Sequence, residues 1–327
     1  MPHKVGIPRA LLYYYYYPMW RTFFEELGAK VVISSPSTKG ILNKGLKHAV
    51  DEVCLPIKMA FGHIIDLAGR VDYIFLPRMV SVARREYICP KFLGLPDMIR
   101  RLDGLPPLID VNIDLYRNKK DIFGPVKEAG RLFTESSVKI FLAFRRSLKV
   151  QKEYLRLLQL GLMPAEALAV LEDRVKEPPP PCRDDLTVAL IGHPYNLYDS
   201  YVSMNMIERL RSMGAKVVTA ELLPEKTVRE KASCLPKKLF WTLGQKMIGA
   251  AFHYLEEAGV SGMIHVAAFG CGPDSMTGEL IERRARGLGM PFLNITLDEH
   301  TGEAGVVTRL EAFLDMVRWK KAETAGI

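Results

Sequence analysis

The sequence predicts an α/β fold built twice, each half a parallel sheet with helices on both faces. Three observations predict it: a long-range repeat, an alternation of short apolar runs with helix-length segments, and a proline run between the halves. Laying residues 5–32 over 191–218 at a constant offset of 186 brings Gly6 onto Gly192, Pro8 onto Pro194 and Tyr15 onto Tyr201. The same offset sets Gly28-Ala29-Lys30-Val31-Val32 on Gly214-Ala215-Lys216-Val217-Val218, and five identities in a row are hard to reach by chance. Strands that alternate with helices pair in parallel and need cover on both faces, so each half reads as a Rossmann-like or flavodoxin-like domain.

Each copy opens on an apolar run (Lys4 to Ile7; Thr187 to Ile191) and a Gly-x-Pro turn. A helix of about 17 residues, a glycine stop and a second apolar run follow. Further strands are expected at Val71 to Leu76, Pro107 to Val111, Gly262 to Ala267 and Pro291 to Thr296, each short and partly β-branched or aromatic. Residues 115–176 are rich in helix formers, most of all from Val138 to Leu160, and read as a helical connector. Glu177 is followed by Pro178, Pro179, Pro180 and Pro181, which fit neither a helix nor a central strand and form a stiff link. The expected domains are therefore 1–177, including the connector, and 178–327.

At 327 residues the chain has room for two cores of roughly 150 residues each. Hydrophobic residues are 48%, charged residues 25% and mean hydropathy +0.03, the profile of a soluble globular protein. No apolar run approaches the ~18 residues that span a bilayer, and Met1-Pro2-His3-Lys4-Val5 has no signal-peptide pattern, so a cytoplasmic location and no membrane partner are expected. The net charge of +8 permits an anionic partner without demanding one. Its basic pairs (Arg84-Arg85, Arg100-Arg101, Arg145-Arg146, Lys237-Lys238, Lys320-Lys321) are scattered, no nucleic-acid motif accompanies them, and no nucleic-acid partner is expected. Neither Gly-x-Gly-x-x-Gly nor a P-loop occurs, so the chain itself should not bind ATP.

Five cysteines in a chain this long argue against a disulfide framework and for a reducing compartment. In a doubly wound sheet, ligands sit beyond the carboxyl ends of the strands. Cys89 follows one expected strand, Cys271 follows another, and Cys54 stands just before a helix, where a thiol ionises more readily. Thiolates that converge in such a protein hold zinc or an iron–sulfur cluster. Cys-x2-Cys pairing, the usual mark of zinc, is absent, whereas each single cysteine stands by a proline: Cys54-x-Pro56, Cys89-Pro90, Cys271-x-Pro273. The alternative is that these thiols are small apolar core fillers.

Five stretches carry a family resemblance: Glu52-Val53-Cys54-Leu55-Pro56-Ile57-Lys58, Tyr87-Ile88-Cys89-Pro90-Lys91, Gly192-His193-Pro194-Tyr195-Asn196, Gly270-Cys271-Gly272-Pro273-Asp274-Ser275 and Asp298-Glu299-His300-Thr301-Gly302-Glu303-Ala304-Gly305. In order, and from Lys4 to about Asp315, the chain resembles the 2-hydroxyacyl-CoA dehydratase D-component and acyl-CoA dehydratase activase-related family. The resemblance implies a 4Fe-4S cluster on Cys54, Cys89 and Cys271 in a cleft between the two domains. It also implies a separate ATP-dependent activator protein as electron donor, an acyl-CoA or small-molecule substrate, an anaerobic setting, and a homodimer or a heterodimer with a related subunit. Other relatives hold a double-cubane cluster, which wants roughly six thiolates against the five present. Three functions stay open: low-potential electron transfer or reductive dehydratase-like catalysis, a non-catalytic cluster carrier or scaffold subunit, and a clusterless small-anion binding module.

Cys234-Leu235-Pro236-Lys237-Lys238 echoes the motif at Cys54, which makes Cys234 the candidate fourth ligand, while Cys182 fits no motif. His193 ends the first strand of the second half where the first half has Ile7, and is a candidate catalytic group or helix cap. Asp298, Glu299, His300 and Glu303 gather titratable groups after an expected strand. Glu299 and His300 are candidate proton donors, and helix capping accounts equally for the cluster. In the tyrosine run, Tyr13, Tyr16 and Tyr17 are expected on one helix face.

Overall fold

The computed structural model describes residues 2–174, 186–257 and 259–325. The proline run 178–181 and Cys182 lie outside the described residues. The chain forms two compact units: Met1–Arg156 with Phe240–Thr242, and Leu157–Leu239 with Leu243–Ile327.

In the first unit, strands β1 (Lys4–Ile7), β2 (Lys30–Ile33), β3 (Tyr73–Phe75) and β5 (Leu108–Ile109) make a parallel sheet in the order β2-β1-β3-β5. β4 (Arg78–Ser81) and β6 (Asn112–Asp114) pair in parallel as its continuation. The sequence placed strands at Val71–Leu76 and Pro107–Val111; β4 and β6 lie beyond that expectation, and Pro77 marks the gap before β4. It has no N–H to give the ladder, which resumes when the Arg78 amide donates to Val111 O at 3.0 Å.

The second unit has β7 (Leu186–Gly192), β8 (Ala215–Thr219), β9 (Gly262–Ala268) and β10 (Phe292–Leu297), in the order β10-β9-β7-β8. Read from the other edge, both sheets run second, first, third, fourth, which is the flavodoxin-like winding. The duplication seen in the sequence is thus a duplication of topology. Gly28 and Gly214 stand at φ +85° and +81°, ending the first helical segment of each copy in a conformation that disfavours any side chain.

The two copies differ in that helical segment. In the first it is one helix, Tyr13–Glu26. In the second, Pro194–Leu197 stops after one turn and Met206–Ser212 resumes it. Asp199 captures the amides of Tyr201 and Val202 through Oδ1, and Met204 and Asn205 adopt left-handed φ of 53° and 55°. A short acidic side chain that bonds nearby amides offers the backbone an alternative to the helical ladder.

Pro18 lies inside Tyr13–Glu26 and cannot supply the N–H that the Tyr14 carbonyl would otherwise accept. The connector helix Ser137–Gln159 makes good the loss: the phenol of Tyr154 donates to Tyr14 O at 2.8 Å, and Gln151 Nε2 donates to Tyr15 O at 2.8 Å. Tyr13, Tyr15 and Tyr17 are the buried tyrosines of the run and Tyr16 is half-buried; Tyr15 points away from Tyr13, so the helix is covered on more than the one face expected. Helix Leu55–Leu67 is seated by glycine contacts, since a Cβ on Gly62 would lie 2.0 Å from Ile41 O and one on Gly45 1.9 Å from Lys58 O. Only glycines let the backbones of this helix and of helix Lys39–Leu46 approach so closely.

Candidate functional site

Cys54, Cys89 and Cys271 share one local construction. Each is the N-cap of a helix: Leu55–Leu67, Pro90–Ile99 and Gly272–Gly287 respectively. Each helix carries proline in its first turn, at Pro56, Pro90 and Pro273, where a missing N–H costs nothing and the fixed φ starts the helix. The thiols make no capping hydrogen bond, and the partial positive charge of each helix N-terminus favours the thiolate. Cys54 and Cys271 are buried, and Cys89 is half-buried.

Two of the three follow a strand of their own sheet. Cys89 follows β4, and Cys271 follows β9 by three residues. Cys54 opens the helix that runs back to the start of β3. Within the first unit, Lys91 Nζ donates to Glu52 O at 3.3 Å and ties the loop of Cys89 to that of Cys54. The strap Phe240–Thr242 also belongs here: the Tyr87 amide donates to Phe240 O at 2.7 Å, two residues before Cys89, and the Thr242 amide donates to Tyr87 O at 3.0 Å.

Cys234 is placed differently. It is exposed at the carboxyl end of helix Glu225–Ala232, and no helix begins at it. The counterpart of the Cys54 helix in the second unit is Thr242–Glu256, which starts eight residues later, so the Cys-Leu-Pro echo is not an echo of position.

The second unit gathers its polar groups at the switch between β7 and β9. His193 ends β7 and caps Pro194–Leu197, and it is 3% exposed. Its Nε2 stands 3.0 Å from Oδ1 of Asp274, which is wholly buried. Asp274 sits in the first turn of the helix that Cys271 caps, and its Oδ2 accepts the Ala268 amide at 3.0 Å. His193, Cys271 and Asp274 each offer a donor atom within 4.8 Å of the other two. Burial pushes the Asp274 carboxyl up, but His193, the Ala268 N–H and His265 outweigh it and hold it below the usual carboxylate range. His265, on β9, has its pKa lowered by burial and shares Nδ1 with Asn294 Oδ1 at 3.1 Å.

The matching switch in the first unit, between β1 and β3, is apolar. Ile7 stands where the second unit has His193, and a small pocket beside Pro8 is lined by Leu12, Trp20, Leu76, Met79 and Phe92, among others.

After β10, Asp298 Oδ1 accepts the His300 amide at 2.9 Å and the Thr301 hydroxyl at 2.7 Å, and Thr301 Oγ1 accepts the Asp298 amide at 2.8 Å. These bonds, the Thr301 hydroxyl foremost, hold the Asp298 carboxyl below its usual range. They build the turn that enters helix Glu303–Ala325, leaving Glu299 half-buried and His300 exposed. Sequence reasoning quoted Asp274 in a motif without giving it a role and passed over His265. A carboxylate three residues into a helix capped by cysteine was the available signal for the first. Nothing in the sequence marked the second.

The sequence model of the CoA enzyme activase uncharacterised domain matches residues 4–223, and that of the 2-hydroxyglutaryl-CoA dehydratase D-component matches residues 166–317. No curated protein matches the chain significantly. Among solved structures, a putative phosphosugar isomerase from Silicibacter pomeroyi aligns at 11% identity over 99% of this chain and 87% of its own, with a TM-score of 0.21.

Proposed function

Since the chain belongs to the family of the CoA enzyme activase uncharacterised domain, and matches the dehydratase D-component through most of its second half, we propose that it is an iron–sulfur protein with a 4Fe-4S cluster on Cys54, Cys89 and Cys271. At the coarser level it is a 2-hydroxyacyl-CoA dehydratase-like component. The observation that carries the finer reading is the repeated thiol construction: an N-cap cysteine and a proline in the first turn, three times in two units.

That donor set suits the group. Iron–sulfur clusters are held by thiolates, and each of these thiols stands at the positive end of a helix that stabilises its ionised form. Proline in the first turn fixes the loop so that the sulfur is presented rather than swung into the helix. Bound there, the cluster supplies one-electron chemistry at low potential. The chain's own residues hold it, exclude water by burying Cys54 and Cys271, and link the Cys54 and Cys89 loops through Lys91. In this reading the electron comes from a separate ATP-hydrolysing activator protein and goes to an acyl-CoA or similar small substrate.

Anaerobic purification should yield about four iron and four sulfide per chain. Cys89→Ser should lose them and Cys182→Ser keep them. A colourless, iron-free protein that also fails reconstitution overturns the proposal, and equal effects of the two substitutions overturn the ligand assignment. Reduction of the loaded protein by an activator and ATP, followed by turnover of 2-hydroxyacyl-CoA thioesters, separates catalysis from electron carriage.

A further inference from the structure

We propose that the second unit by itself holds one divalent metal ion of borderline softness, zinc or ferrous iron in class, on His193, Cys271 and Asp274. The three donors lie within 4.8 Å of one another and all are buried. Imidazole, thiolate and carboxylate together are a set that zinc accepts, with three protein ligands leaving a fourth position open.

The polar groups around the site lack what an ion would give them. Asp274 is wholly buried, and no lysine or arginine among the described residues pairs with it. Its Oδ1 faces His193 Nε2 at 3.0 Å, and Nδ1 of His193 is buried without a partner. Three residues on, Asn196 is wholly buried with neither its amide oxygen nor its nitrogen bonded. Each buried polar atom left so costs about 1–3 kcal/mol, and native folds tolerate few of them. A cation coordinated by His193, Cys271 and Asp274 gives this buried imidazole–carboxylate pair a further partner.

The location agrees. The site stands at the switch between β7 and β9, where doubly wound sheets take their ligands. Gly278, in the helix behind it, keeps clear a space in which a Cβ would come within 2.6 Å of the His265 ring. On binding, Cys271 gives its thiol proton to solvent and its sulfur lone pair to the metal, with no change of oxidation state.

Cys271 is common to this site and to the proposed cluster, so the single ion describes the chain when it carries no cluster. The inference rests on the second unit alone and does not need Cys54 or Cys89. The test uses the full chain bearing Cys54→Ser and Cys89→Ser, stripped of metal without oxygen and titrated with Co²⁺ as the probe. One equivalent should bind, with thiolate-to-cobalt charge-transfer absorption, and Zn²⁺ should displace it. Asp274→Asn and His193→Gln should each weaken binding at least tenfold. Cys271→Ser, which keeps a small polar group at the cap, should abolish the charge-transfer band while circular dichroism stays native. Failure of the double variant to bind cobalt, or unchanged affinity in both His193→Gln and Asp274→Asn, overturns the proposal. Iron and sulfide counts on the wild-type chain report on the cluster independently of either result.

Discussion

Tyr154→Phe isolates the repair at Pro18. Tyr154 is 1% exposed and its ring is packed, so removing only the hydroxyl opens no cavity of consequence. What is lost is the 2.8 Å donation to Tyr14 O, a carbonyl to which Pro18 offers no N–H. Leaving a buried acceptor without its donor costs about 1–3 kcal/mol, roughly a 5- to 150-fold shift in the folding equilibrium of the first unit. Pro18→Ala supplies an amide at the missing position, so in that background the carbonyl has a helical donor again. The same Tyr154→Phe should then cost less than about 1 kcal/mol, a coupling large enough to resolve in a double-mutant cycle. Urea unfolding followed by the fluorescence of Trp20 and Trp241, both in the first unit, reads that unit once the exposed Trp319 is replaced by Phe to silence the second. Equal costs of Tyr154→Phe in both backgrounds, within about 0.5 kcal/mol, would refute the reasoning.

Two further predictions concern the ground on which the thiols stand. His63 is buried, its ring nitrogens 2.9 Å from the hydroxyls of Ser34 and Ser37, and burial with Arg9 nearby lowers its pKa from 6.5 to about 4. The unfolded chain therefore takes up a proton that the folded chain refuses. Stability from this group is complete above pH 6.5 and falls by about 3 kcal/mol as pH drops to 4, and urea midpoints should lose that slope in His63→Gln. Gly62→Ala puts a Cβ 2.0 Å from Ile41 O and should destabilise the first unit by at least about 2 kcal/mol in urea unfolding. Gly94→Ala, in a helix with nothing within 4 Å of the new methyl, should instead stabilise by up to about 1 kcal/mol. A similar loss in both would show that the close helix approach is not what the glycine at 62 serves.

The repeat was legible because its anchors are residues with few substitutes. A left-handed turn wants glycine, and Gly28 and Gly214 stand at such turns, so the offset survived where the surrounding sequence drifted. The cysteine positions were legible for a related reason: proline one or two residues after each thiol marks a helix start, and a helix start is what the structure has. Local hydrogen bonding was harder to read. The break after Leu197 depends on where one carboxylate, Asp199, turns, and the gap at Pro77 on which face of a ladder lacks a donor. Asp274 and His265 were unreadable as a pair, because one lies on a helix and the other on a strand, and only packing brings their charges together.

One copy of the fold is polar at its switch and the other is not, and the connections after their third strands differ as well. Cys89 and Cys271 each cap the helix that follows the third strand region of their sheet, yet Cys271 comes three residues after β9, whereas Cys89 comes well beyond β3, past β4 and a further loop. The short connection holds Cys271 against the end of β7, where His193 and Asp274 stand, and this side must keep groups that tolerate a charge in a buried place. The long connection frees the end of β1 from any such demand. Ile7 there is wholly buried, and the space beside it is lined by apolar side chains that would leave an ionised ligand without a partner. A substitution of Ile7 by histidine would place an imidazole among them with no counterpart of Asp274.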